Sequence, residues 1–255
     1  MIRCEGLTLK AGARTLINAL AWQANAGENW VVIGRNGAGK STLLKTLAML
    51  HAPDGGRVLL DGAPLGSFRA RERARRIAYL PQAQHDAFGY RVLDVVLAAR
   101  HPHDAGYWES DAEIERAHAA LAELDLSGFA ERDVRTLSGG ERQRAALAAL
   151  IAQDAPLWLL DEPSAALDLA HQMALASMTA RARAAGRTLI TVSHDLNLAL
   201  QDATHALLLM GDGRWHAGET ATLGAELLGD CLGYPLEALR HRGRTLYLPR
   251  GAGPC

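Results

Sequence analysis

The stretch WVVIGRNGAGKS, residues 30–41, decides the fold. Its first four residues are an apolar run that stops at Gly34, as a buried strand would. GRNGAGKS then fits the pattern G-x-x-x-x-G-K-[ST], and residues 41–50 carry a helical pattern. A glycine-rich loop between a strand and a helix is the setting in which this pattern binds phosphate. Gly37 and Gly39 let the loop wrap a polyphosphate with its N–H groups. Lys40 is expected to place an ammonium between the β- and γ-phosphates, and Ser41 to offer a hydroxyl to Mg²⁺. Gly34, Asn36, Ala38 and Thr42 complete the expected ATP-binding set.

Such a loop needs a second magnesium anchor at the end of a neighbouring strand. LWLLDEP, residues 157–163, supplies one. Four apolar residues lead into Asp161, expected to hold Mg²⁺ through a water. Glu162 follows at once, and a carboxylate there can take a proton from an attacking water. Gln82 closes IAYLPQ and His194 closes TLITVSH, so both belong at the carboxyl edge of a sheet, where ligands bind. A lone Gln or His is more often an ordinary polar residue. In this series Gln82 is read as a ligand of Mg²⁺ or of the attacking water, and His194 as a hydrogen-bond partner of the γ-phosphate.

TLSGGERQR, residues 136–144, raises a further question. Ser138 and Glu141 fit a capping box at the start of a helix over 141–153. A capping box does not need Gly139 and Gly140, whereas an anion site does, because glycine is costly in a helix and lets a ligand approach closely. The chain thus carries two phosphate cradles.

The rest of the sequence sets bounds. A length of 255 residues with 49% apolar residues allows one large α/β domain or one domain with an inserted subdomain. A net charge of −1 argues against a general nucleic-acid binder. Cys4, Cys231 and Cys255 are widely spaced and form no CxxC pair, which fits incidental reduced thiols. The N-terminus has no signal-like apolar segment, and no apolar run approaches the ~18 residues of a membrane span. Strands are expected at 2–9, 19–25, 57–60, 157–160 and 188–192, with a helix at 169–185. RARERARR at 69–76 reads as a solvated helix face. From about 84 to 135 alanine-rich helical segments, 92–100 and 111–124, replace the strand-like runs. RTLYL at 244–248 reads as a final strand, and the tail as a packing extension. Strands alternating with helices imply a mostly parallel sheet.

GRNGAGKS, Gln82, LSGGERQ, LWLLDEP, SAALD at 164–168 and His194 together resemble the ATP-binding subunit of ABC transporters over roughly residues 2–220. That resemblance implies a P-loop NTPase cassette of α/β class. Its core is mostly parallel, with an N-terminal antiparallel β portion and an inserted helical subdomain. The expected boundaries are 1–82 and 139–220 for the RecA-like core, 83–138 for the helical subdomain and 221–255 for a C-terminal extension. In that family two cassettes meet head to tail. Ser138, Gly139, Gly140 and Glu141 of one copy would then cap ATP held by the P-loop of a second copy, with Ser164 and Asp168 in the D-loop crossing the interface. The resemblance implies ATP hydrolysis with Mg²⁺ bound by Ser41, Gln82 and Asp161. Glu162, Gln82 and His194 would be the catalytic residues. One departure stands out: KAG at 10–12 lacks the aromatic residue that many members stack on adenine.

A cassette with no span needs a pore in another chain. The resemblance implies integral membrane permease subunits, a periplasmic substrate-binding protein and a place on the cytoplasmic face of the inner membrane. Phe88, Tyr90, Val92 and Leu93 are candidates to line the groove where the permease docks; simple packing of the helical subdomain is the alternative. ARRIAYLPQ, VLDVVLAARHPH, LDLAHQ and VSHDLNLAL look like the importer ATPases for iron–siderophore, haem and cobalamin. The competing classes are an ABC ATPase in lipid trafficking or Fe–S cluster assembly, and one acting on nucleic acid.

Overall fold

A computed structural model of the chain describes residues 1–83, 88–103 and 110–251. Parts of the expected helical subdomain, 84–87 and 104–109, and Cys255 lie outside the described residues. In chain order the main elements begin with β1 (Ile2–Ala11), β2 (Arg14–Ala24), β3 (Asn29–Gly34), α1 (Lys40–Leu47), β4 (Gly55–Leu60) and β5 (Ala63–Pro64). Next come α2 (Ala70–Ala74), β6 (Ile77–Leu80), α3 (Val92–Ala98), α4 (Asp111–Glu123), α5 (Gly139–Gln153), β7 (Leu157–Asp161) and α6 (Leu169–Ala184). The chain ends with β8 (Thr188–Val192), α7 (Leu196–Asp202), β9 (His205–Leu209), β10 (Trp215–Glu219), α8 (Ala225–Leu232), β11 (Leu236–His241) and β12 (Arg244–Pro249). These elements fall into two compact units, one of Met1–Ser67 with Thr188–Cys255 and one of Phe68–Arg187.

In the first unit, β2, β1, β4 and β5 form an antiparallel sheet in that order. Ile2, Cys4, Leu7 and Leu9 of β1 are buried while charged neighbours face out, the alternation a one-sided sheet imposes. β2 starts five residues earlier than the expected 19, because a turn at Gly12, with φ of 60°, brings Arg14 opposite Ala11. β3 runs parallel to both β8 and β9, and β10 pairs antiparallel with β9. Every residue from Trp30 to Ile33 is buried, as a strand covered on both faces requires.

The sequence reading assigns no element to 196–209, where the structure has α7 and β9. The tail does end in the expected strand, β12, but β11 pairs with it through a tight turn in which Arg242 and Gly243 have φ of 48° and 78°. Leu228, Cys231 and Leu236 join Val31, Ile33 and Leu208 in one cluster, so the tail is built into the core of this unit. Burial pushes the Cys231 thiol up to about 11 and the Cys4 thiol up to about 12.

In the second unit β6 and β7 pair in parallel, Ile77 to Leu157 through Leu80 to Leu160. The parallel pairings of β3 with β8 and β9, and of β6 with β7, bear out the expected mostly parallel core. α2 buries none of its residues, as expected for the basic run. α3, α4 and α5 pack through Val96, Ala120, Leu121, Ala148 and their neighbours. Arg100 ties the three together: it pairs with Glu113 and its Nη1 donates to the Ala152 carbonyl at 2.6 Å. Val92 and Leu93 are buried in this packing, so they line no open groove; Phe88 and Tyr90 stay exposed. No helix among the described residues is long and apolar enough to cross a membrane.

Candidate functional site

The first unit carries the phosphate loop. A Cβ on Gly34 would lie 2.7 Å from the Leu209 carbonyl oxygen on β9, so only glycine lets β3 end there. Gly37 and Gly39 have φ of 76° and 101°, the left-handed region that favours glycine. Gly39 is the N-cap of α1; it makes no side-chain cap, and the first turn has no acidic residue. The positive end of α1 is therefore left to an outside anion. Lys40 is buried, and its Nζ donates to the carbonyls of Gly34 at 2.7 Å and Arg35 at 3.1 Å. The ammonium is held at the loop's own mouth. Ser41 and Thr42 follow in the first turn, both half-buried; Ala38 is buried and Asn36 exposed.

His194 lies two residues beyond the end of β8 and is exposed. It shares a cavity of about 480 Å³ with Gly34 and Asn36, so this unit brings the expected phosphate-sensing histidine beside the loop. The turn end of the first hairpin, where no aromatic stands, contributes Arg14 instead. Its Nη2 donates to the Gly211 carbonyl at 2.8 Å, and its Nη1 lies 3.7 Å from where a Cβ on Gly37 would be. Sequence reading missed Arg14 because nothing in the local pattern marks it.

The second unit carries the acidic pair. β7 ends at Asp161, 1% exposed, and Glu162 is also buried. Glu162 has φ of 53°, a strained conformation for a residue with a side chain and one that recurs at reactive positions. Gln82 reaches it from the end of β6: Gln82 Nε2 donates to Glu162 Oε2 at 2.6 Å. Burial, with the charge of Asp161 next in effect, pushes the Tyr79 phenol up to about 12. The structure thus joins Gln82 and Glu162, residues 80 apart in sequence.

The signature stretch starts α5. Ser138 and Glu141 do form a capping box: Ser138 N–H donates to Glu141 Oε2 at 2.7 Å, and Glu141 N–H donates to Ser138 Oγ at 3.3 Å. Hydrogen bonding from the Ser138 side chain, and next from the Ser138 N–H, holds the Glu141 carboxyl below its usual range. The glycines are a separate matter. A Cβ on Gly140 would come within 3.2 Å of the Ala166 carbonyl, a close approach. A Cβ on Gly139 would meet only the Ala166 Cβ at 4.0 Å, an ordinary contact. Neither has a positive φ, so packing within the chain does not demand glycine at 139. Gln143 was missed by sequence reading. It is buried and its Nε2 donates to the Pro163 carbonyl at 2.9 Å, linking α5 to the turn after Glu162. Ser164 lies in that turn, and Asp168 caps α6, accepting from the His171 N–H at 2.9 Å.

The residues expected at the metal, Ser41, Gln82 and Asp161, offer only oxygen atoms suited to a hard cation, which fits Mg²⁺. Among the described residues no cluster of three or more His, Cys, Asp or Glu could hold a metal unaided.

Comparison with known proteins follows the same line. Residues 17–165 match the family model described as ABC transporter. The chain is 38% identical to the hemin import ATP-binding protein HmuV of Myxococcus xanthus, covering 99% of this chain and 98% of that protein. It is 40% identical to the petrobactin import ATP-binding protein FpuD of Bacillus anthracis, covering 82% and 77%. A solved structure described as an inward-facing, metal-chelate-type ABC transporter superposes with a TM-score of 0.82 at 30% identity, covering 98% of both chains. A dimeric ATP-binding cassette bound to ADP and Pi shares the fold, with a TM-score of 0.78 at 24% identity over 86% of this chain and 99% of that one.

Proposed function

This chain belongs to the ATP-hydrolysing cassettes of ABC transporters, and from that premise we propose that it powers import of an iron chelate, haem or a ferric siderophore, with cobalamin as the further member of the substrate class. The near full-length likeness to hemin import ATP-binding proteins carries this reading. The cassette works on the cytoplasmic face of the inner membrane, bound to integral permease subunits that receive substrate from a periplasmic binding protein. It binds no nucleic acid.

The roles of the residues follow from their chemistry. The loop 34–41 and the first turn of α1 wrap the phosphates, and Lys40 shifts its ammonium from the loop carbonyls to the β- and γ-phosphates. Ser41, Gln82 and Asp161 hold Mg²⁺, which supplies charge neutralisation to the phosphate oxygens. Glu162 takes the proton of the attacking water, and the Gln82 amide orients the carboxylate and reports on the γ-phosphate. His194 donates a hydrogen bond to the γ-phosphate.

A second copy of the chain completes the site. Gly139 supports this: the chain's own packing leaves it room for a side chain, so its smallness serves a surface from outside. In the head-to-tail homodimer Ser138, Gly139, Gly140 and Glu141 cap ATP held by the other copy, and Ser164 and Asp168 line the interface. ATP contacts both copies only in the closed state, so it favours closure; hydrolysis removes the shared contact and reopens the pair.

Reconstitution with the permease tests the substrate. ATPase activity is expected to rise when haem or a ferric siderophore is presented with its binding protein. Stimulation by cobalamin alone shifts the substrate within the class. Recovery of the chain only with a cytosolic scaffold, and no stimulation by any of the three, overturns import.

A further inference from the structure

We infer that the C-terminal hairpin, β11 and β12, is a brace that positions His194, with Asn197 as the residue through which it acts. The inference rests on the reading of His194 as the γ-phosphate partner. His194 is exposed and lies on a short link between two elements, β8 and α7. The backbone of such a short link is placed by the elements on either side. β8 is fixed on one side by its parallel ladder with β3.

On the other side, α7 spans only Leu196–Asp202, too short to be stable on its own. Asp195 caps it, accepting from the Leu198 N–H at 2.9 Å. At its far end the Asp202 carbonyl accepts from Asn29 Nδ2 at 2.7 Å, and two polar side chains of α7 reach across to the hairpin. Asn197 Nδ2 donates to the Tyr247 carbonyl at 3.1 Å, and the Tyr247 N–H donates to Asn197 Oδ1 at 2.8 Å. The carboxamide thus takes both backbone groups of one residue in β12, as a neighbouring strand would. Gln201, one turn further along α7, accepts from Arg244 Nη1 at 2.9 Å. β12 is fixed in turn, because the Tyr247 hydroxyl donates to the Leu223 carbonyl at 2.8 Å and Tyr247 packs on the core cluster of this unit.

The cavity beside the phosphate loop shows the consequence. Gly34, Asn36 and His194 line it together with Tyr247 and Pro249 of β12. The hairpin therefore backs the space that the γ-phosphate and its histidine share. Loss of the Asn197 pair unties the first turn of α7 from β12; the bonds of Gln201 to Arg244 and of Asp202 to Asn29 hold only its far end, and the link that carries His194 loses its nearest long-range hydrogen bonds on the α7 side. Small misplacements of such a group reduce rate by up to about a hundredfold without weakening ground-state binding.

The test is steady-state ATPase kinetics on the full-length chain. Asn197→Ala is expected to lower kcat on the order of tenfold while the KM for ATP stays within about twofold. Asn197→Asp keeps the acceptor for Tyr247 N–H and loses the donor; it is the second variant should the alanine form fold poorly, and a smaller fall is expected. Tyr247→Phe keeps the pair with Asn197 and loses the bond that fixes β12 to Leu223, so a fall in kcat smaller than that of Asn197→Ala is expected, again with the KM for ATP within about twofold. In a His194→Ala background, Asn197→Ala is expected to lower kcat no further, the signature of action through one group. As a readout free of turnover, the His194 imidazole resonances of the ATP-bound protein are expected to move in Asn197→Ala. Unchanged kcat in both Asn197 variants, or equal falls with and without His194, overturns the brace. Wild-type kcat in His194→Ala alone overturns the underlying reading of His194, and the two failures are thereby distinct.

Discussion

Glu162 combines a left-handed backbone, burial and a hydrogen bond from Gln82. Glu162→Gln keeps the shape and removes the base, so kcat is expected to fall by roughly 10²–10⁴-fold while ATP affinity changes little; a phosphate-release assay and equilibrium nucleotide binding measure the two. At the same scale, the two described thiols are buried with pKa values of about 12 and about 11, so they stay protonated at neutral pH. A Cys255→Ser variant is expected to show no fast thiol reaction when native and two reactive thiols in denaturant. The residues that sequence reading singled out are those whose chemistry requires a type at a fixed spacing: Lys40 after its glycines, Asp161 and Glu162 after an apolar strand. Arg14, Gln143 and Asn197 escaped it, because their partners, Gly211, Pro163 and Tyr247, lie 20 or more positions away.

Among the elements, the helices α3, α4 and α5 depend on one buried ion pair. Arg100 is 3% exposed, and Arg100→Ala would strand Glu113 with the exposed Arg116 and the more distant His103 as its remaining neighbours. A loss of about 3 kcal/mol is expected, read by chemical denaturation. Hydrogen bonding from Arg100 holds the Glu113 carboxyl below its ordinary value of 4.5. A depressed carboxylate adds stability that is complete above the ordinary value and is lost as pH falls through the folded one. Tm is therefore expected to drop more steeply below about pH 4.5 in the wild type than in a Glu113→Gln variant. Elements with a clear period, β3, β7, β8 and α4 to α6, were legible from sequence. β11 was not, since only Leu236 of its six residues is buried and no alternation shows. α7 is short, and its stability comes from Tyr247 and its neighbours rather than from its own pattern.

At the scale of the whole molecule, sequence alone raised the question of the second phosphate cradle, and the proposed answer is a second copy of the chain. One chain holds a phosphate loop and a separate glycine pair, and the chain's own packing explains Gly140 but leaves space at Gly139. A larger residue at 139 is thus expected to be tolerated by the fold and harmful to function: Gly139→Asp should keep Tm and ATP binding while abolishing turnover. Permease and substrate were legible only through resemblance, because no motif of the chain marks a cargo or a permease by its own chemistry. The most direct test is the sedimentation mass of Glu162→Gln with and without saturating ATP and Mg²⁺. The sandwiched site predicts twice the single-chain mass with nucleotide, the single-chain mass without it, and no doubling once Gly139→Asp is added. A single-chain mass for Glu162→Gln with ATP fully bound would contradict the account.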